Sequence, residues 1–333
     1  MNKFFSELAS NLTSRSKQQC DFQSILQSMP DISRDNEFRI NHTTYEEVDK
    51  IIKGLKNDCS SGFDNIPIRF IKPISEFIIS PIVDLINTSI DHKIFPKQWK
   101  TARVCPIPKI DNPTRLKDYR PISILPVMSK IYERVILNQL CDFIEKDHLY
   151  NTTQSGFRKG HSTFTLLLKL RDDIRKSMSR SEITLTVLID FSKAFDTIDH
   201  GVLLEKLYQL NFSHDSIEIL SSYLRDRYQY VQIDDQRSSC LPMNFGVPQE
   251  SILGPVLFNL YVIELTNKIS SRAIQYADDT TIYRHCKIAN IKTAIKDLEN
   301  DIEALLSWSR DHNLLFNCDK FQFYILVSNR LSN

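Results

Sequence analysis

The spacing of hydrophobic and polar positions changes several times along the chain, and each change marks an element. Up to about residue 40 the pattern is polar and weakly periodic, which predicts helix and loop without a firm boundary. Thr43-Thr44-Tyr45-Glu46-Glu47-Val48 then supplies hydroxyl caps and first-turn acids for a helix with apolar positions at Val48, Ile51, Ile52 and Leu55. Residues 60–65 read as a turn before an amphipathic stretch over 66–90. A short β-like run covers 103–108, and a helix is predicted after Pro126, carrying Ile131, Val135 and Leu140.

The run Thr184-Leu185-Thr186-Val187-Leu188-Ile189 is β-branched and nearly continuous in its apolar character, as in a buried strand, and it ends at Asp190. Val202, Leu203, Leu207 and Leu210 mark a helix. Residues 228–233 alternate as a strand and 243–245 read as another. Gly246-Val247-Pro248 then turns into an apolar helix over 252–265. Residues 273–276 and 280–283 form two strands around a tight turn holding Asp278 and Asp279. Helices mixed with antiparallel hairpins predict an α+β fold rather than a doubly wound parallel sheet.

Composition narrows the class only a little. With 41% hydrophobic and 25% charged residues, the 333-residue chain has the make-up of a core-forming protein. Seven scattered cysteines without a C-x-x-C pair predict buried thiols in a reducing compartment rather than a disulfide framework or zinc site. The N-terminus has no apolar core of a secretory signal. The most apolar stretch, 70–90, is interrupted by Lys72, Pro73, Glu76, Pro81 and Asp84, so an intracellular location, nuclear or cytoplasmic, without a membrane role is expected. The overall charge of +1 hides an uneven distribution. Residues 97–134 carry nine basic and three acidic side chains, a local +6 that leaves −5 for the rest. Such a segment attracts phosphate, although a solvated helix face accounts for it equally well on charge alone.

The chemistry rests on carboxylates. Asp190 ends a buried strand, and Asp278-Asp279 sits at a hairpin tip 88 residues later. Strand ends direct side chains to one sheet edge, where clustered carboxylates repel one another unless a cation lies between them. Mg2+ meets that need with oxygen ligands, and two ions can drive phosphoryl transfer. Adjacent strand residues face opposite ways, so Asp278 is expected to bridge with Asp190 while Asp279 plays the weaker part. Taken alone, Asp-Asp in a turn is more often a turn feature than a metal site.

Seven ordered blocks change that balance: SSGFDNIP (60–67), FPKQWKTARVCPIPK (95–109), YRPISILPVMSKIYERVI (119–136), QSGFRKGHST (154–163), VLIDFSKAFDTIDH (187–200), GVPQESILGPVLFNLY (246–261) and YADD (276–279). Together the chain resembles reverse transcriptases of jockey-like, LINE-type non-LTR retrotransposons over residues 43–327. The resemblance implies a right-hand polymerase palm and fingers with an antiparallel palm sheet and the thumb largely absent. It divides the chain into an N-terminal extension (1–42), a helical region preceding the fingers (43–102), and the fingers and palm (103–333).

It also implies an RNA-directed DNA polymerase that takes an RNA template, a DNA primer and dNTPs, with Mg2+ or Mn2+ as cofactor. Asp190, Asp278 and Asp279 would be the catalytic metal ligands. Lys109 and Arg120 would hold the incoming triphosphate, with Phe195 as the gate against a ribose 2′-hydroxyl. Gln249 would pack on the nucleotide, Lys320 would act as general acid for pyrophosphate, and Arg158 would contact the template backbone. The motif departs from the family at Gln249-Glu250-Ser251, where Gly normally follows Gln. Glu250, expected in the first turn of a helix, adds bulk and negative charge and predicts weakened or absent polymerization.

The chain stops thirteen residues after Lys320, which suggests an excised or degenerate fragment without thumb, endonuclease or zinc knuckle and with weak template–primer binding. The competing readings are a catalytically inert relic that still binds nucleic acid, and another two-metal enzyme such as a nucleotide cyclase. The blocks at 119–136 and 154–163 speak against the cyclase.

Overall fold

The structure, a computed structural model, describes residues 1–7, 22–29, 35–58 and 60–327. Residues 8–21 and 30–34 of the polar stretch before residue 40, with Cys20, and also Cys59, lie outside them. The chain forms two compact units, one of residues 1–149 and 195–257, the other of 150–194 and 258–333.

In the first unit, Thr44 caps the helix Tyr45–Gly54, as the sequence predicts, and also forms a capping box with Glu47. The stretch over 66–90 resolves into Ile68–Ile71, one 3-10 turn, and Ser75–Asp91, with Pro81 inside the long helix. The sheet consists of β1 (Thr101–Pro108), β2 (Tyr119–Ile124), β4 (Arg227–Ile233), β5 (Gln236–Arg237) and β6 (Leu241–Met243), where β3 (Ile183–Ile189) belongs to the other unit. Its order is β2-β1-β4-β5 with β6 on β4. β1 pairs antiparallel with β2 and parallel with β4. The strand expected at 243–245 lies slightly earlier, at β6.

The helix Val127–Lys146 begins directly after Pro126 and buries Ile131, Tyr132, Val135, Ile136 and Leu140. Tyr132 stacks on Phe95 at 5.0 Å, and Phe95 meets Tyr223 edge-on at 5.1 Å. These rings form an aromatic core in which each contributes large apolar area and favourable ring geometry.

The second unit holds an antiparallel sheet of order β7-β8-β3-β9, with β7 at Arg272–Tyr276, β8 at Asp279–Cys286 and β9 at Gln322–Leu326. The strand and hairpin expected at 184–189 and 273–283 are there. β9 was not legible, because its Phe323, Tyr324 and Ile325 are all exposed rather than alternating. Two helices the pattern did not resolve hold the hairpin. From Thr163–Ser179, Asp173 accepts hydrogen bonds from Arg272 (3.0 Å) and Tyr283 (2.8 Å). From Ile291–Asp311, Asp301 accepts from the Ser270 and Ser271 backbone N–H groups at 2.8 and 2.9 Å.

The cysteines correct one expectation. Cys105, Cys240 and Cys318 are exposed, and Cys141 and Cys286 are partly so. Cys105 takes the outward position after buried Val104 on β1, while Cys240 and Cys318 lie in a loop and a one-turn helix, where no core is available to them. Among the described residues, no helix is long and apolar enough to cross a membrane.

Gly156 fixes the loop before the Thr163–Ser179 helix against the β7–β8 turn. A Cβ at this position would overlap the Ala277 backbone nitrogen, while Ser155 N–H donates to Gln275 O at 2.9 Å and Asn259 Nδ2 to Gly156 O at 2.7 Å. Because the obstruction is backbone, it cannot rotate away. G156A is expected to lower the unfolding free energy by ~2–3 kcal/mol in urea titration, as overpacking does, and an unchanged midpoint would refute this close approach.

Candidate active site

Strand register builds the acidic cluster. In the β3–β8 ladder Ile189 pairs with Thr280, so Asp190 and Asp279 are the next residues outward on the two strands. Asp278 precedes Asp279 in the turn, after Ala277 at φ +57°. The cluster also contains a cation, since Lys320 Nζ donates to Asp190 Oδ2 at 2.6 Å. Asp190, Asp279 and Lys320 line one cavity of about 450 Å³ that runs over apolar Leu166, Leu167, Leu188 and Ile274. Asp278 is partly buried, and Asp279 is the more exposed of the two.

Burial raises the Asp278 carboxyl above the usual carboxylate range, and the charges of Asp279 and Asp190 raise it further. Burial and then Asp190 do the same to Asp279, and the Lys320 ammonium opposes both shifts. Three oxygen donors whose charges crowd one another suit a hard divalent cation. They are not drawn into a cage. Among the described residues, the only three carboxylate or imidazole ligand atoms within 4.8 Å of one another are those of His214, Asp215 and Glu218, and Lys93 already pairs with both of those acids.

Arg158 lies in the same unit, on the loop that Gly156 locks to the β7–β8 turn. Its Nη1 donates to Gln154 O at 3.2 Å, and its guanidinium covers the Tyr150 ring at 5.0 Å.

The remaining candidates belong to the first unit. Ile107 pairs with Arg120, and Lys109 N–H donates to Asp118 O at 2.8 Å, so Lys109 and Arg120 share the loop end of the β1–β2 hairpin. The +6 segment is only partly available to a ligand. Lys97, Lys109, Arg115, Lys117 and Arg120 are exposed, but Lys100 is buried, and burial and then Arg227 bring it down to about 8.

Gln249 Nε2 donates to both carboxylate oxygens of Asp196 at 2.9 Å, and Ser123 N–H donates to Gln249 O at 3.1 Å, tying this turn to β2. The half-buried Phe195 precedes Asp196, and its carbonyl accepts from Val247 N–H at 2.9 Å. Gly246, at φ +72°, lies where a Cβ would meet the carbonyls of Phe195 and Asp196. His200 Nε2 donates to Gly246 O at 2.7 Å.

Sequence reasoning missed two anchors of this turn. Asp196, inside the VLIDFSKAFD block, orients Gln249. Glu133, fully buried, accepts from Ser129 Oγ (2.8 Å), the Ile252 and Leu253 backbone N–H groups (2.8 and 3.1 Å) and Tyr223 Oη (3.4 Å). Burial raises its carboxyl, against the pull of Arg227 and these donors. The available signal was an acid on the apolar stripe Ser129, Tyr132, Glu133, Ile136 and Leu140.

Glu250 requires a second correction. It is not in the first turn of a helix. It is exposed in a turn at φ +71°, and the helix Gly254–Tyr261 starts four residues later. The first-turn stabilisation expected for its carboxylate therefore does not apply, and the left-handed backbone accounts for a preference for Gly at this position. A non-glycine residue pays ~1–2 kcal/mol there, so Glu250→Gly, after the added chain entropy, is expected to stabilise by roughly 0.5–1 kcal/mol in urea unfolding. A loss of stability would show that Glu250 makes compensating contacts.

The raised carboxyls give a pH prediction. Asp278 and Asp279 hold protons more tightly folded than unfolded, so their contribution is fully present below the ordinary carboxylate pKa of ~4 and is lost as pH rises through the higher folded values. The contribution of these two groups to the stability of metal-free protein should fall as pH rises above about 4, and Asp278→Asn should reduce that fall. Identical pH slopes for the two proteins, from urea titrations in EDTA, would contradict it.

Residues 107–329 match the family model described as reverse transcriptase (RNA-dependent DNA polymerase). The chain is 30% identical over 286 residues to the RNA-directed DNA polymerase from mobile element jockey of Drosophila melanogaster. It is 31% identical over 284 residues to the probable RNA-directed DNA polymerase from transposon BS of the same species. Each alignment covers 83% of this chain and 31% of the relative, so the chain spans about a third of the length of these relatives. A Pol polyprotein from type-1 retrotransposable element R2 of Popillia japonica is 25% identical over 182 residues, 53% of this chain and 24% of that protein. The chain belongs to the reverse transcriptase family, and the relatives it is similar to include RNA-directed DNA polymerases of the jockey mobile elements.

Proposed function

We propose that this chain is the fingers and palm (103–333) of an RNA-directed DNA polymerase, preceded by the helical region 43–102 and the extension 1–42. It extends a DNA primer from its 3′-hydroxyl with dNTPs on an RNA template. The observation that carries this reading is the meeting of Asp190 with the Asp278-Asp279 tip at one edge of an antiparallel sheet, with Lys320 beside them.

Asp190, Asp278 and Asp279 would hold Mg2+, or Mn2+ in its place, through oxygen ligands. Bound there, the ions supply activation of the attacking hydroxyl and stabilisation of charge on the leaving oxygen. The protein's own side chains do the rest. Arg120 and Lys109 at the hairpin end grip the triphosphate, the guanidinium through its fixed fork and the ammonium as a point charge. Phe195 packs against the sugar and excludes a 2′-hydroxyl. Gln249, oriented by Asp196, packs on the nucleotide. Arg158 contacts the template phosphates, and Lys320 donates a proton toward pyrophosphate.

Glu250 favours a second reading, a polymerase relic that folds and binds nucleic acid without efficient turnover, because an exposed carboxylate and a strained backbone stand next to Gln249. Primer extension on an RNA template with Mg2+ and with Mn2+ separates the two. Incorporation should fall in Asp278→Ala by several kcal/mol of barrier, roughly a thousandfold in rate, and should rise in Glu250→Gly. Salt-sensitive RNA binding with no incorporation by either the chain itself or Glu250→Gly would leave only the relic.

A further inference from the structure

Lys320 is fixed at its base, while its long side chain is largely exposed and ends on Asp190. Asn317 N–H donates to Asp190 O at 2.8 Å, Phe316 bridges to Phe191 and stacks on it at 4.5 Å, and the turn Cys318–Lys320 leads into β9, which pairs with β3. The backbone that presents Lys320 is therefore tied to the residues on either side of Asp190. Its side chain is 65% exposed and that of Asp190 only 19%, so the long arm reaches from solvent into a half-enclosed carboxylate. Three carboxylates and one ammonium share this edge, and the 2.6 Å contact occupies Asp190 Oδ2.

We infer that Lys320 is a tethered internal counter-ion, which neutralises Asp190 while no divalent ion is bound and competes with that ion for the same carboxylate. The inference rests on the proposed metal-binding role of the cluster. One oxygen cannot offer full contact to an ammonium and a metal together, and two cations at one carboxylate repel. The coupling is reciprocal, so the lysine weakens metal binding by the factor by which metal weakens the ion pair. Lysine suits an exchangeable partner because its ammonium makes a single point contact on a flexible stem, whereas arginine would hold both carboxylate oxygens in a planar fork. On release the ammonium stays on its tether beside the cluster.

Mn2+ titration followed by electron paramagnetic resonance tests this without requiring turnover. Lys320→Met should bind Mn2+ roughly two- to fivefold more tightly than the unsubstituted chain, the range expected on losing one partly exposed ion pair. Lys320→Gln should match it, and Lys320→Arg should keep the weaker binding. In EDTA, Lys320→Met should also melt at a lower temperature, with the deficit shrinking at saturating Mn2+. Unchanged or weaker Mn2+ binding in both neutral variants overturns the counter-ion role. Unchanged binding in Asp190→Asn overturns the metal site itself, which separates the two failures.

Discussion

Repulsion among three carboxylates at one sheet edge is the constraint on which the second unit depends. Negative groups stay close only if the backbone forces them together and a cation relieves them. The backbone part is the register in which Ile189 faces Thr280. A slip by one residue would turn every side chain on β3 to the opposite face and remove Asp190 from Asp279. That register is held by buried Leu185, Val187 and Ile189 on β3 and Ile282 on β8, and by the aspartates of two helices that bind the start of β7 and Tyr283 of β8. The cation part falls to Lys320, which lies in the turn just before β9, a strand whose own sequence pattern is weak. Pairing with β3 positions it.

The first unit solves a different problem, that of holding a turn in an unfavourable conformation. Residues 246–254 contain two left-handed positions, Gly246 and Glu250, and rest on buried polar anchors. Glu133 takes the Ile252 and Leu253 amides, His200 binds the Gly246 carbonyl, and Asp196 holds the Gln249 amide. A buried acid with this many donors is costly to bury and costly to lose, so it fixes one conformation rather than adding much net stability. Such anchoring lets Glu250 occupy a backbone region that favours glycine.

The sequence by itself determined the α+β class, the capped helix at Tyr45, the helix after Pro126, the buried strand ending at Asp190 and the acidic hairpin, because each is encoded in local periodicity, caps or turn residues. Seven ordered blocks carried the family. Tertiary structure alone decided the rest. It paired Lys320 with Asp190 across 130 residues, buried Lys100 out of the basic segment, exposed Cys105, Cys240 and Cys318, and put Glu250 in a left-handed turn instead of a helix. The physical reason is common to all four. Periodicity reports which face of an element is apolar, whereas ion pairing, burial of a particular side chain and the sign of φ in a turn depend on what the rest of the chain brings alongside.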